Sequence, residues 1–213
     1  MEWVNKKERQ LMKIDFHVHS SNYSDCAVSS IEDQIQAAIN EGLDAIFITE
    51  HMKLFPQEQL DGLNKVHAPF KVYQAIEVTV LDIGYEDFLV IGVHDTAIEN
   101  RHFTYKDLYK LVEELGGAII LAHPFRFSDV VHPDVYLHPP HAVELLSSNL
   151  NEENYDRRLS LAKELKIPVV TNSDSHYDRK TGCYYNTFDD SCTTEDLIVH
   201  ALKSKKFSAM TLK

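Results

Sequence analysis

Apolar runs that end in histidine constrain this chain more than any other feature of its sequence. The first run, 12–18, carries Asp15-Phe16-His17-Val18-His19-Ser20 at its end. Residues two apart on a β-strand share a face, so His17 and His19 can converge on one ligand. Three later runs end at Thr49-Glu50-His51, Ala122-His123-Pro124 and Ser173-Asp174-Ser175-His176. A single histidine is usually an ordinary core or surface residue, but four such strand ends together indicate a metal site with several ions.

The segments between these runs predict an α/β fold. Apolar stretches of β type alternate with amphipathic stretches of helical type, which is typical of a parallel sheet with helices outside. The predicted strands cover 12–18, 43–49, 70–81, 88–93, 118–122, 142–146, 168–172 and 207–212. Helices are predicted from a capping box at Ser29-Ser30-Ile31-Glu32 to Gly42, over 57–66, 105–115 and 152–165, and from Thr193 or Thr194 to about Lys205. About seven parallel strands in this length indicate a barrel, and an open doubly wound sheet is the alternative.

Two segments fit neither the strand nor the helix pattern. Residues 125–141 contain Pro133, Pro139 and Pro140, so they predict a long loop over the site. Residues 177–190 are similarly irregular. The predicted strands 70–81 and 88–93 are expected to pair as a hairpin, with Asp82 and Gly84 in the turn.

Composition limits the classes of function. The 213 residues are 44% hydrophobic and 25% charged, which fits one domain over residues 1–213. Lys and Arg number 21 against 33 acidic residues, and the net charge of −12 disfavours a nucleic-acid partner. Three cysteines without paired spacing indicate neither disulfides nor a thiolate zinc site. No stretch approaches the roughly 20 apolar residues of a membrane span, and no secretory signal is visible. We therefore expect a cytoplasmic protein without a membrane partner; the sequence does not fix its oligomeric state.

Taken in order, the motifs resemble those of the PHP (polymerase and histidinol phosphatase) family of metal-dependent phosphoesterases. The resemblance rests on Asp15-x-His17-x-His19-Ser20, Ser24-Asp25, Thr49-Glu50-His51, Glu77, His94, Ala122-His123-Pro124 and Asp174-x-His176. It implies a distorted seven-stranded (β/α) barrel, TIM-like and of PHP type, with up to three metal ions at the carboxyl ends of its strands.

The resemblance also implies a set of metal ligands. His17, His19, Glu77 and Asp174 would hold a first ion. Glu77 would bridge to a second ion that His94 and His123 also bind, and a third would be held by Asp25, His51 and His176. Imidazole and carboxylate ligands without thiolate suit Zn²⁺, Mn²⁺ or Fe²⁺, so we expect two or three divalent ions of these kinds. Asp15 lies deeper and is expected to hydrogen-bond a ligating imidazole, because an unpaired buried carboxylate is costly.

The implied activity is hydrolysis of a small phosphate monoester by attack of a metal-bound hydroxide. The expected catalytic residues are His17, His19, Glu77, His123, Asp174 and Arg126. Arg126 is also expected to bind the substrate through its planar guanidinium, and Lys53 and Arg179 are further candidates for that role. A nuclease or exonuclease using the same site is the main alternative, and the net charge disfavours it. An amidohydrolase-like barrel usually needs a bridging lysine where Glu77 and His123 stand here, and a metal-binding module without turnover is the non-enzymatic alternative.

Overall fold

The strands form one sheet that curls into a nearly closed barrel. The structure, a computed structural model, describes residues 11–99 and 101–210. The strands are β1 Leu11–Val18, β2 Ala45–His51, β3 Lys71–Val80, β4 Glu86–Ile91, β5 Ala118–Leu121, β6 Ala142–Leu146, β7 Val169–Thr171, β8 Asn186–Asp189 and β9 Ser208–Ala209. The helices are α1 Ile31–Asn40, α2 Gln57–Val66, α3 Tyr105–Glu114, α4 Asp134–Leu137, α5 Tyr155–Leu165 and α6 Glu195–Lys203. Within the described residues the strand order is β7-β6-β5-β4-β3-β2-β1-β8-β9.

Strand direction divides the sheet into two parallel parts. β1, β2 and β3 are parallel to one another, and so are β5, β6 and β7. β4 is antiparallel to both β3 and β5 and joins the two parts. β8 is antiparallel to β1, and β9 is antiparallel to β8. The barrel closes because the chain after β7 returns to β1, where Ser175 and Val18 form a parallel bridge. The Asn186 side chain bonds the backbone of Thr171 across the same gap.

The predicted α/β barrel is confirmed, with nine strands in the described part of the chain where seven were expected. The predicted hairpin is confirmed, since β3 and β4 pair antiparallel. The helix predicted over 57–66 is α2 and has the predicted bounds. Residues 177–190, predicted to be irregular, contain β8, whose four residues become a strand only by lying beside β1. The predicted loop 125–141 contains the single-turn helix α4. The last strand, expected at 207–212, is β9 in the described part, and Leu212 lies outside the described residues.

The helices begin at capping residues that local sequence supplies. The capping box of α1 is Ser30 with Asp33, one residue later than the predicted Ser29–Glu32, and each side chain accepts a hydrogen bond from the other's backbone N–H. Thr104 and Thr194 accept hydrogen bonds from the first turns of α3 and α6. Gly42, with a φ of +72°, follows α1 at the predicted stop. No described helix has the length and apolar character needed to cross a membrane.

Three buried apolar clusters hold the sheet and the helices together. One lies among the strands of the barrel and packs against α6, with Phe16, Phe47 and Ile120 among its members. A second packs α3 and α5 on β3 to β6, and a third packs α1 and α2 on β1 to β3. The polar residues of the predicted site lie at or just after the carboxyl ends of β1, β2, β5 and β7, where α/β barrels build their active sites.

Candidate metal centre

Histidine and carboxylate side chains from six strands converge at one end of the barrel. Among residues 11–99 and 101–210, four groups of side chains have potential ligand atoms within 4.8 Å of one another. They are His19–His51–His176, His17–His19–Glu77, His17–His123–Asp174 and Glu77–Asp87–His123. Because the groups share members, the eight side chains form one assembly, which we call the ligand cluster. The structure thus brings together seven of the nine predicted metal ligands and adds Asp87.

Glu77 lies at the centre of the ligand cluster. Its Oε1 is 2.9 Å from His123 Nε2 and 3.5 Å from His17 Nε2. Its Oε2 is 2.9 Å from His51 Nδ1 and 3.4 Å from His19 Nε2. One carboxylate therefore faces four imidazoles from three strand ends, those of β1, β2 and β5, which is the position expected of a ligand that bridges two cations.

Several buried polar atoms of the ligand cluster have no hydrogen-bond partner within the described part of the chain. These are Nε2 of His17 and of His19, Oδ1 of Asp174 and Oε2 of Glu77, which is close to His51 Nδ1 but not in hydrogen-bond geometry with it. Asp174 Oδ1 lies 3.3 Å from His17 Nε2 and 3.5 Å from His19 Nε2, so these atoms face one another. A buried polar atom without a partner costs on the order of 1–3 kcal/mol, and a cation between these atoms would satisfy them together. The donor set is nitrogen and oxygen only, which fits Zn²⁺, Mn²⁺ or Fe²⁺.

Burial and mutual charge set the protonation of the ligand cluster. Burial lowers the pKa of His19 to about 3, so its imidazole is neutral at pH 7, as a metal ligand must be. Burial works against ionisation of Glu77 as well, but His17 and the neighbouring histidines hold the pKa of Glu77 well below its usual range. Burial and the negative charge of Glu77 raise the pKa of Asp87 to about 6. Crowded carboxylates of this kind call for positive charge, which metal ions supply.

Glu144, in the middle of β6, connects two members of the ligand cluster. Its Oε1 lies 3.1 Å from His17 Nδ1 and accepts a hydrogen bond from Asn172 Nδ2 at 2.8 Å. Its Oε2 accepts a hydrogen bond from the backbone N–H of His123 at 2.9 Å. A carboxylate on Nδ1 fixes the tautomer of His17 and turns its Nε2 towards Glu77 and Asp174.

Asp15 bonds no imidazole within the described structure, so that expectation is wrong. Its Oδ1 accepts hydrogen bonds from the backbone N–H groups of His17 and Ser173, at 3.1 and 3.0 Å. Asp15 is fully buried, and burial raises its pKa to about 6. The carboxylate joins the β1 end to the segment after β7 through the backbone, while Glu144 takes the place beside the imidazole.

Glu50 supports the opposite side of the ligand cluster. Its carboxylate accepts hydrogen bonds from the hydroxyls of Ser20 and Ser24 and from the backbone N–H of Ser20. Ser24 Oγ also lies 3.4 Å from His19 Nδ1. The motif Ser24-Asp25 therefore contributes its serine to the surroundings of His19.

Comparison with known families identifies this architecture. Residues 15–210 match the family model of the PHP domain. This chain belongs to the PHP family. Membership places it among metal-dependent hydrolases that act on ester bonds, in agreement with the ligand cluster. No curated protein matches the chain.

Three solved structures share the fold of this PHP domain. PsfC from Pseudomonas syringae PB-5123 has a TM-score of 0.69 at 17% identity, over 95% of this chain and 92% of that chain. An inferred metal-dependent phosphoesterase from Bifidobacterium adolescentis has a TM-score of 0.62 at 12% identity, over 80% of this chain and 90% of that chain. An amidohydrolase from Chromobacterium violaceum, with bound sulfate and no metal, has a TM-score of 0.56 at 13% identity, over 76% of this chain and 87% of that chain. At these identities the likeness shows the fold alone.

Two residues that the PHP resemblance assigned as ligands lie apart from the ligand cluster. His94 Nδ1 is 2.7 Å from Gln74 Oε1, and His94 Nε2 is 2.8 Å from Glu195 Oε2. Both ring nitrogens are thus engaged beside a separate groove on the outside of β3. Asp25 is exposed, and its carboxylate is in none of the four groups. His94 comes after the end of β4, whereas Asp87, near the beginning of that antiparallel strand, faces Glu77 and His123.

The three predicted substrate-binding residues occupy different surroundings. Arg126 is at the mouth of the ligand cluster, with Nη1 3.3 Å from Asp174 Oδ2 and 31% of its side chain exposed. Lys53 Nζ lies 5.4 Å from the ring centroid of Tyr23 and lines the groove that contains His94. Arg179 is exposed over the ring of Tyr177. Of the three, Arg126 alone contacts a member of the ligand cluster in the described structure.

Sequence reasoning missed Asp87 and Glu144. The predicted strand begins at Phe88 and so leaves Asp87 outside it, although β4 begins two residues earlier. Glu144 was inside a correctly predicted strand, 142–146, as the only charged residue of that run. A lone acid in a buried strand is the available signal, because a carboxylate there requires a partner.

Proposed function

We propose that this PHP chain hydrolyses a small phosphate monoester with two or three divalent cations in the ligand cluster. One observation carries the proposal: buried atoms of His17, His19, Glu77 and Asp174 face one another without hydrogen-bond partners among residues 11–99 and 101–210. Such an arrangement is costly in a protein whose only task is to fold, and it is useful in one that binds cations.

The proposed ligand sets follow the four groups of the cluster. His17, His19, Glu77 and Asp174 would hold one ion. Glu77, Asp87 and His123 would hold a second, and His19, His51 and His176 surround a third position. When bound, such cations lower the pKa of a coordinated water and neutralise charge on a phosphoryl group.

The protein's own residues orient the ligands and the substrate. Glu144 holds His17 through its ring Nδ1 and holds His123 through its backbone N–H. One carboxylate therefore keeps two of the proposed ligands in position. Arg126 has five N–H donors in a planar fork and can bind a phosphoryl group while it keeps its contact with Asp174. In a chain of net charge −12, one local guanidinium favours a small anion over a polynucleotide.

A panel of phosphate esters tests the proposed activity. The protein is loaded with Zn²⁺, Mn²⁺ or Fe²⁺ and assayed on an aryl phosphate, histidinol phosphate, nucleotides and short oligonucleotides. We expect hydrolysis of a monoester, its loss in chelator and its return with the metal. Oligonucleotide cleavage without monoester hydrolysis would replace the proposal with a nuclease.

A substitution ties this activity to the ligand cluster. His123→Ala should lower kcat by at least about 100-fold, because it removes a ligand beside Glu77. His141→Ala is the matched control, since His141 bonds the backbone N–H of Ile119 and the carboxylate of Glu113 outside the cluster. Undiminished turnover in His123→Ala, or in fully metal-free protein, would contradict the proposal.

A further inference from the structure

Two exposed aromatic side chains stand beside the ligand cluster. The ring centroids of Tyr85 and Phe127 are 5.0 Å apart in an edge-to-face pair, and the residues are 41% and 58% exposed. Phe127 is also 5.9 Å from the imidazole of His123. Tyr85 and Phe127 border a closed recess with Asp87 and His123 of the cluster and with Arg126. The recess has no room for a water molecule, so a ligand can reach only the exposed outer surfaces of the two rings. We call Tyr85 and Phe127 the aromatic pair.

The backbone turn after β5 presents Phe127 at this position. His123 and Phe125 have φ values of +27° and +66°, a conformation that side-chain-bearing residues rarely adopt. The N–H of Arg126 donates to the carbonyl of His123 at 3.2 Å and closes the turn. The turn is anchored from α5, because the Arg157 guanidinium lies 4.2 Å from the centroid of the Phe125 ring. The unusual backbone aims Arg126 and Phe127 at the same recess.

The turn between β3 and β4, which carries Tyr85, is tied to the loop after β5. Asp82 in that turn has its Oδ1 2.9 Å from Nε2 of the buried His132. The N–H of Asp134 donates to the other ring nitrogen of His132 at 3.1 Å. The two sides of the aromatic pair therefore belong to segments that are joined to each other.

Arg126 links the aromatic pair to the proposed phosphate position. Its guanidinium lies 4.8 Å from the centroid of the Phe127 ring, over one face, and 3.3 Å from Asp174. Single exposed aromatic residues are common on protein surfaces and carry no such meaning. Here the Arg126 guanidinium lies over one face of the Phe127 ring and next to the ligand cluster. If the phosphate of a substrate binds Arg126, the alcohol portion of that substrate lies beside Phe127.

We propose that the aromatic pair is a subsite for a planar unsaturated ring in the alcohol portion of the phosphate monoester. This inference rests on the proposed function, since it assumes that a phosphate binds at the ligand cluster. Two kinds of substrate carry such a planar unsaturated ring. In one, an aryl or benzyl group is joined closely to the phosphate; in the other, a nucleobase is joined to it through a sugar. Stacking on Phe127, with Tyr85 at its edge, would add affinity that a saturated alcohol cannot provide.

Matched substrates separate ring stacking from apolar packing. Benzyl phosphate and cyclohexylmethyl phosphate have similar size and similar leaving groups but differ in aromaticity. Phe127→Leu keeps apolar volume and removes the ring. We expect it to lower kcat/KM for benzyl phosphate about 10-fold and for cyclohexylmethyl phosphate less than twofold. Tyr85→Leu should likewise lower kcat/KM more for benzyl phosphate than for cyclohexylmethyl phosphate. Tyr136→Leu, which alters an exposed tyrosine on α4, should leave kcat/KM for both substrates unchanged.

A second pair of substrates distinguishes the source of the ring. Adenosine 5′-monophosphate carries a nucleobase that ribose 5-phosphate lacks. A selective loss of kcat/KM for the nucleotide in Phe127→Leu would assign the ring to a nucleobase, and a loss confined to benzyl phosphate would assign it to a directly joined aryl group. Equal effects on the ringed and ring-free members of both pairs would overturn the subsite and leave the phosphatase intact. Absence of hydrolysis of every ester, including glycerol phosphate, would overturn the proposed function and the subsite with it.

Discussion

At the scale of single residues, the site depends on side chains whose polar atoms are arranged for partners other than protein. Glu77 faces four imidazoles, and its Oε2 has no hydrogen bond among the described residues. Glu144, by contrast, is satisfied by His17, Asn172 and the backbone of His123. The first carboxylate is available for cations, and the second holds the ligands that accompany it.

Glu144→Gln tests the role of the satisfied carboxylate. The amide has one oxygen instead of two, so one donor among His17, Asn172 and His123 loses its acceptor. We expect metal affinity to fall about 10- to 100-fold, measured by competition with a chelator of known affinity.

Glu195→Gln is the matched control for this substitution. It alters a carboxylate that also bonds a histidine, His94, but outside the ligand cluster. Metal affinity should be unchanged in this variant. Equal affinities in Glu144→Gln and the unsubstituted protein would show that Glu144 does not position the ligands.

At the scale of elements, the barrel places a ligand at or after the ends of its parallel strands, and the β3–β4 hairpin supplies one more. Asp87 pairs with Thr79 across that hairpin, and the hydroxyl of Thr79 donates to Asp87 Oδ1 at 2.6 Å. An antiparallel strand brings its beginning, not its end, to the site. The residue near the start of β4 therefore joins the ligand cluster, and His94, beyond its end, does not.

This reversal explains what could be predicted from the sequence. Local periodicity and capping signals gave the helices and most strands, because these signals act within a few residues, as at Ser30. The strand-end histidines gave most of the ligand cluster, since parallel strands share one edge. Asp87 and β8 depend on pairing between distant segments and on strand direction, which no local pattern encodes. Placing Asp25 likewise required the folded chain.

The link between His94 and Glu195 gives a pH-dependent prediction at the element scale, because it joins the segment after β4 to α6. The hydrogen bond that His94 donates to the Glu195 carboxylate raises the pKa of His94 above its usual value. A raised histidine pKa contributes stability that is fully present below about pH 6.5 and is lost as the pH rises through the folded-state pKa. His94 is half exposed, so we expect a contribution of about 0.3–1 kcal/mol.

Urea unfolding at pH 6 and pH 9 measures this contribution. The unsubstituted protein should lose more free energy of unfolding between these pH values than His94→Gln does. Metal content should be equal in the two proteins. An identical pH dependence of the free energy of unfolding in the two proteins would show that the link does not contribute to stability. Loss of metal from His94→Gln would show that His94 is a metal ligand.

At the scale of the whole molecule, metal binding and folding should be coupled. The ligand cluster draws on six strands, so it exists only in the folded barrel, and its buried carboxylates repel one another without cations. A ligand at 100 times its dissociation constant stabilises a protein by about 2.7 kcal/mol. For a chain of this size, that corresponds to a rise in Tm of about 5–10 °C.

Scanning calorimetry of the metal-free and metal-loaded protein checks this coupling. His123→Ala, which lacks one ligand, should show a smaller rise in Tm on adding the same metal. A rise of equal size in the two proteins would locate the stabilising ion elsewhere.

The central claim is that cations bind among His17, His19, Glu77, Asp87, His123 and Asp174, and anomalous X-ray diffraction from crystals grown with Mn²⁺ or Zn²⁺ tests it most directly. Data collected at the absorption edge of the metal locate each ion without assumptions about its ligands. The account predicts at least two anomalous peaks, both at coordination distance from Glu77, one shared with His17 and Asp174 and the other with His123 and Asp87. Peaks only beside His94 and Glu195, or none within reach of Glu77, would contradict it.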